Sequence, residues 1–207
     1  GPVVLLGLLS IFFMLTTVRS SMMEEIEEGL KGTAAATLAA YDQNTGDYME
    51  SSNGDIWKGS YNISRSESLV DRIKDNTGMD VTFFYGDTRV LTSLKDKKTG
   101  DRLIGTTASK EVTDKVLKNG KEYSDTGIVI NERPYYGYYV PVKNSDDSIV
   151  GMVFVGRESK DINAFIKSKS SAVFLMALII MAMASIAAWI TSRSVAVSMR
   201  GTEKVIG

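Results

Sequence analysis

The stretch YYGYYVPVKNSDDSIVGMVFVG, Tyr135 to Gly156, carries the strongest topological signal in the chain. An aromatic and β-branched run closes on Val140-Pro141-Val142, the polar residues Asn144 to Ser148 supply a turn, and a second run of the same kind follows. This pattern predicts antiparallel strands over Pro134 to Val142 and Ile149 to Arg157. A side-chain period of two puts Tyr135, Gly137 and Tyr139 on one face of the sheet and Tyr136, Tyr138 and Val140 on the other. One set can be core while the other lines a cavity, and alternation leaves open which.

Working outward, Lys121 to Asn131 extends the hairpin into a meander through a turn at Glu132-Arg133. Upstream, Asp80 to Tyr85 and Thr88 to Leu94 form a second hairpin around Gly86-Asp87. Between the hairpins lie a charged loop, Lys95 to Gly105, and a helix from Ser109 as N-cap to Leu117. Lys115 and Lys118 suit the negative end of that helix, and Asn119-Gly120 terminates it. Ser64 and Glu67 have capping-box spacing ahead of Leu69, Val70 and Ile73, predicting a short helix that stops near Asn76 and Gly78. Asp42 to Asn62 is polar and without period, a long loop of the kind that covers sites. Met22 to about Tyr41 is helical, with Met23, Ile26, Leu30, Thr33 and Thr37 on a stripe that fits packing on its own sheet or against a second subunit. Hairpins at both ends joined by one helix give an α+β fold, a five-stranded antiparallel sheet with a long N-terminal helix and no parallel βαβ unit.

Two uncharged apolar runs, Pro2 to Val18 and Ala172 to Ile190, bracket this polar middle. Each approaches the roughly 20 residues a helix needs to cross a bilayer, so residues 1–18 and 172–191 are expected to span it around an outside domain, 19–171. A cleaved signal peptide is the alternative for the first run, but no small-x-small site follows it. After the second run Arg193, Arg200 and Lys204 face only Glu203, which favours the tail inside; Lys167 and Lys169 pull weakly the other way. With no initiating Met before Gly1 and Gly207 in mid-helix, a fragment is expected, its output module beyond the last residue. The chain has no Cys and no His, hence no disulfide, thiolate metal site or histidine base, and an outside domain without disulfides is easiest to place on a bacterial cell.

No phosphate-binding loop, dinucleotide fingerprint or nucleophile elbow is present, so no enzyme, cofactor or metal is expected, and no nucleic-acid partner. A ligand site is the better search. Phe83, Phe84, Tyr85, Tyr135, Tyr136, Tyr138, Tyr139 and Phe154 concentrate aromatic surface on three predicted strands, with Phe83, Tyr85, Tyr136, Tyr138, Tyr139 and Phe154 the candidate ligand contacts, and Trp57 in the long polar loop can close over a cavity there. Arg89, Arg102 and Arg133 are candidate anchors for an anion, Arg89 foremost because it lies within a strand; Thr92 and Ser93, and more weakly Thr106, can add hydroxyls.

MDVTFFYGDTRVLTSL (79–94), RLIGTTASKEVTDKVLKNGKEY (102–123) and the meander quoted above, in this order, resemble the extracytoplasmic single-Cache sensor domains of bacterial chemoreceptors and sensor kinases over about Met22 to Lys169. The resemblance implies a PAS-like sheet hung on a long helix, binding a small metabolite under loops on one face. Related citrate and dicarboxylate sensors hold ligands with basic residues near the positions of Arg89 and Thr92, and again just before the Pro of the fourth strand. Gly137 and Tyr139 stand in that second place here, a departure that argues against a tricarboxylate and for a small monocarboxylate or uncharged metabolite. The tail, 192–207, looks like the start of a HAMP linker helix, with Val195, Met199, Thr202 and Ile206 at coiled-coil spacing, although the usual Pro is missing near Ser198. An amphipathic helix lying on the inner membrane face is the alternative for this tail. The implied whole is a homodimeric transmembrane sensor, a methyl-accepting chemotaxis receptor first, a histidine kinase second, and a tethered binding domain without signalling third.

Overall fold

The computed structural model describes the backbone of residues 2–203 and the side chains of residues 7–194. In chain order the elements are α1 (Pro2–Asp42), β1 (Tyr48–Glu50), β2 (Ile56–Lys58), β3 (Tyr61–Asn62), α2 (Glu67–Thr77), β4 (Asp80–Tyr85) and β5 (Thr88–Thr92). Then follow α3 (Lys110–Val112, continuing as a π-helix over Thr113–Lys118), β6 (Tyr123–Ile130), β7 (Arg133–Lys143), β8 (Ile149–Glu158) and α4 (Ser159–Glu203). Two compact units divide the chain: Met23–Asn163, and the N-terminal residues through Met22 together with those from Ala164.

Within Met23–Asn163 a five-stranded antiparallel sheet has the order β5-β4-β8-β7-β6. The α+β class, the antiparallel sheet and the long N-terminal helix are as the sequence predicts. Strand β8 is central, and its residues Gly151 to Gly156 are buried without a break, as a strand covered on both faces must be. On the first face, Leu30, Ala34 and Tyr41 of α1 and Val70 of α2 pack against Val81, Phe83, Tyr138, Val140, Val153 and Val155. Tyr41 meets the Phe83 ring edge-on at 5.5 Å. Burying a ring of this size contributes about 2–3 kcal/mol before the entropy of ordering it. On the second face Phe84, Leu94, Tyr135, Tyr139, Met152 and Phe154 pack with Val112 and Val116.

Four local expectations change. Asp42 to Asn62 is not a bare loop: it holds a three-stranded sheet, β1-β2-β3, whose Tyr48 and Ile56 plug into the first-face core, and Asn144 pins it by accepting from the Tyr48 N–H at 2.8 Å. The capping box does not form, because the Ser64 hydroxyl accepts from the Ile56 N–H at 2.9 Å; Ser66 takes the N-cap position and is held by Tyr41 instead. The helix after Ser109 widens into a π-helix, which brings residues four and five apart onto one side and lets Val112, Val116 and Leu117 all reach the second-face core. The hairpin turn before β7 falls on Asn131 and Glu132, both with positive φ (47° and 62°), one residue earlier than read from sequence.

Segment 95–108 folds back along β5. The Arg89 N–H donates to the Thr106 carbonyl at 2.9 Å, and Arg102 grips Asp71 of α2 with two parallel bonds of 2.9 and 2.6 Å while donating to the Thr92 carbonyl at 2.7 Å. Arg102 thereby holds the Asp71 carboxyl below the usual carboxylate range.

In the other unit, α4 carries the described helix long and apolar enough to cross a bilayer, Ser159–Ser194, with a mean hydropathy of 2.5 in its best window. Leu175, Met176, Ile180, Met183, Trp189 and Ile190 on it are more than half exposed, as are Leu8, Phe12 and Phe13 on α1. The predicted coiled-coil positions Val195, Met199 and Thr202 lie on the described backbone of α4, but their side chains, and Ile206 altogether, lie outside the described residues.

Arg102→Ala is expected to destabilise the domain by about 2 kcal/mol in urea unfolding, between the values for exposed and buried pairs. Because the Asp71 pKa is depressed on folding, its contribution is present above the unfolded carboxylate value of about 3.9. It is lost as pH falls through the lower folded value, so the wild-type excess over the variant shrinks below about pH 4.

Candidate functional site

A cavity of about 400 Å³ opens on the second face of the sheet, between β5 with its returning segment, α3 and the edge strand β6. Its apolar wall comes from Phe84, Leu103, Val112 and Ile128, and its polar groups from Arg89, Thr106, Ser109, Asp125 and Tyr139.

Arg89 owes its place to a break in register. The β4–β5 pairing shifts between Phe83 and Phe84, so Phe84 stands opposite Arg89 and the two share the cavity face. The guanidinium carbon lies 5.1 Å from the Phe84 ring centroid. One guanidinium nitrogen donates to the Thr106 hydroxyl and, at 3.4 Å, to the Leu103 carbonyl, while Nε is buried without a partner. Arg89 is 6% exposed, and burial pulls its pKa below the ordinary arginine value, partly offset by Tyr139. It remains a cation at neutral pH.

Arg102 and Arg133, the other candidate anchors, are spoken for: Arg102 by Asp71, and Arg133 by Glu158 at 2.6 Å and the Lys95 carbonyl at 3.0 Å. Among the described residues Arg89 has no carboxylate within ion-pair distance.

Tyr139 leans on Phe154, their centroids 4.9 Å apart, and stacks with Tyr123 at 6.4 Å. Burial raises the Tyr139 pKa, which keeps the hydroxyl neutral. Phe154 lies across the cross-strand pair Gly137 and Gly156, where a Cβ on either residue would collide with its ring. The glycines make the hollow, Phe154 fills it, and Tyr139 rests on Phe154.

Of the residues singled out from sequence, the cavity is lined by Arg89 and Tyr139, with the weaker candidate Thr106 beside them, and Phe154 lies beneath as the support of Tyr139. Phe83, Tyr85, Tyr136 and Tyr138 turn to the first face and pack with the α1 side of the core. Thr92 shares a 2.6 Å hydrogen bond with Thr82, and Ser93 donates to Asp80 at 2.9 Å, so both hydroxyls stitch β4 to β5 away from the cavity. Trp57 sits in β2, opposite Met49 and Asn62, and does not border the cavity.

Leu103, Ser109, Asp125 and Ile128 are lining residues that the sequence reading does not single out as contacts, and Phe84 counts there only within the aromatic concentration. Gly127 inside a strand pattern was the available signal for Asp125, because an isolated strand glycine marks a bulge, and the β6–β7 register does shift between Asp125 and Ile128.

This arrangement defines a class: a PAS-like sensor fold with a cavity on one face of an antiparallel sheet. The sequence profile of the family described as "Single cache domain 3" matches residues 61–169, more than half of the chain, and the protein belongs to that family. Solved structures share the fold. An extracellular ligand-binding receptor from Desulfohalobium retbaense superposes with a TM-score of 0.52 at 16% identity, over 76% of this chain and 27% of that one. The sensor domain of the V. cholerae histidine kinase DctB gives 0.51 at 12% identity, over 78% and 58% respectively. The present chain therefore spans under two thirds of either relative. No curated protein matches it.

Gly156→Ala is expected to cost about 1–3 kcal/mol, as overpacking does. It should also push Phe154 toward Tyr139 and shrink the cavity. Chemical denaturation reads the first effect and a structure of the variant the second.

Proposed function

We propose that this chain is the sensory part of a transmembrane receptor whose outer domain binds a small metabolite with an anionic group, held by Arg89 in the second-face cavity. The observation that carries the reading is a buried guanidinium that lines a cavity of metabolite size and, among the described residues, has no carboxylate within ion-pair distance. A ligand carboxylate there would gain charge-assisted hydrogen bonds from a preformed donor, and the Tyr139 hydroxyl and Ser109 add polar contacts. The role is recognition rather than catalysis.

In this reading residues 1–18 and 172–191 are membrane spans, 19–171 the extracytoplasmic domain and 192–207 the start of a HAMP helix. Membership of the Cache family and the exposed apolar surface of α4 support it. Two copies form the working unit. Ligand binding must favour one conformation of the domain, since equal affinity for both would transmit nothing. Two outputs fit equally well, a chemoreceptor's and a histidine kinase's; the kinase output has the likeness to the V. cholerae sensor beside it. The sequence following residue 207 separates them, by a long heptad hairpin in one case and a histidine-bearing kinase helix pair in the other.

A thermal-shift screen of small metabolites on the detergent-solubilised chain should yield an anionic hit, because a specific binder raises the melting temperature by mass action. Arg89→Ala should then weaken that hit by about 2–5 kcal/mol, the cost of truncating one partner of a buried charge pair. Arg89→Met should abolish the shift without lowering the melting temperature of the ligand-free protein, since it removes an uncompensated buried charge. An anionic hit unaffected by either substitution would refute the anchor. Protease added to intact cells should digest residues 19–171, and full protection would refute the topology.

A further inference from the structure

Asp125 lines the same cavity as Arg89 and stands on its cavity side for a structural reason. It pairs across strands with Gly137, and cross-strand partners share a face. The face is fixed by Gly137, where a Cβ would point at Phe154 and Ile128. The β6–β7 register shifts just after Asp125, and there the Gly127 N–H donates to one of its carboxylate oxygens at 2.7 Å.

That backbone bond fixes the carboxylate but leaves it without a cation: among the described residues Asp125 has no ion pair with Arg89 or with any lysine. Tyr139 lines the cavity with both charges, and burial keeps its hydroxyl neutral. The cavity thus presents a cation and an anion that are not ion-paired with each other, together with a neutral hydroxyl and an apolar wall of Phe84, Leu103, Val112 and Ile128.

Resting on the anion-binding reading of the cavity, we infer that its ligand is zwitterionic: a small amino acid whose carboxylate meets Arg89, whose ammonium meets Asp125 and whose apolar side chain lies on the Phe84 and Ile128 wall. A simple carboxylate would leave the partly buried Asp125 with only water and the Gly127 N–H as partners, whereas an ammonium adds a charge-assisted hydrogen bond. A dicarboxylate is disfavoured most, because its second anion would lie near that of Asp125. The cavity volume also suits one amino acid of modest size rather than a peptide.

The test is calorimetric titration of the full chain in nanodiscs with the twenty common L-amino acids, and with the des-amino and decarboxylated analogues of each one that binds. At least one amino acid should bind, at least tenfold more tightly than its des-amino acid and its amine. Asp125→Asn should erase most of that preference while leaving the des-amino acid's affinity within about threefold, a pattern that a general loss of folding cannot produce. Arg89→Ala should weaken every carboxylate-bearing probe.

The inference is overturned if des-amino acids bind as tightly as amino acids, if Asp125→Asn leaves the preference intact, or if no amino acid binds. In the first case, with binding still dependent on Arg89, the anion-binding reading stands alone. Loss of Arg89 dependence would remove both.

Discussion

A guanidinium withdrawn from water costs several kcal/mol unless an anion goes with it, and Arg89 is withdrawn without one. The rest of the domain makes sense around that imbalance. The register shift in β4–β5 puts Arg89 on the cavity face, the returning segment covers it and satisfies part of it through Thr106 and Leu103, and Phe84 lies under it. The neighbouring arginines, equal in charge, are neutralised by Asp71 and Glu158, whereas no carboxylate among the described residues lies within ion-pair distance of Arg89. Stored electrostatic cost at one point, offset by packing everywhere else, is how a binding site persists in a marginally stable domain.

The two faces of the sheet divide the labour. The first face is closed by α1, α2 and the small β1–β3 sheet, and its aromatic residues fill space: Tyr41, Tyr48 and Phe83 are all about 1% exposed. The second face is closed only in part, by α3 and the segment ahead of it, and what remains open is the cavity. Because β8 lies at the centre of the sheet and α4 begins at the residue after it, a change on the second face has a short covalent route to the start of the long apolar helix. The strand bears Met152 and Phe154 on the cavity side and Val153 and Val155 on the α1 side, so a shift in one packing layer is felt in the other.

Much of this was legible in the chain. Alternation in Tyr135 to Val140 sorted the tyrosines correctly into two sets, and the Gly86-Asp87 and Asn144 to Ser148 turns fell where their residue types put them. What alternation lacks is a label for the faces. The α1 stripe could not say which set it would cover, so Phe83, Tyr85, Tyr136 and Tyr138 carried as strong a signal for the cavity as Tyr139 did. Thr92 and Ser93 follow Arg89 closely along the chain, but the bulge at Phe83/Phe84 changes the register just there, and both hydroxyls turn to stitching strands together. Asp125 went unnoticed because an acidic residue near a strand glycine reads as surface until the bulge is known to aim it inward.

The central claim is that a ligand supplies the counter-charge Arg89 lacks, and arginine side-chain NMR addresses it without any substitution. With 15N-labelled arginine, the Nε–H resonance of Arg89 should move markedly when a ligand saturates the protein, while those of Arg102 and Arg133, already paired, stay in place. A ligand that binds and leaves the Arg89 resonance where it was would contradict the account.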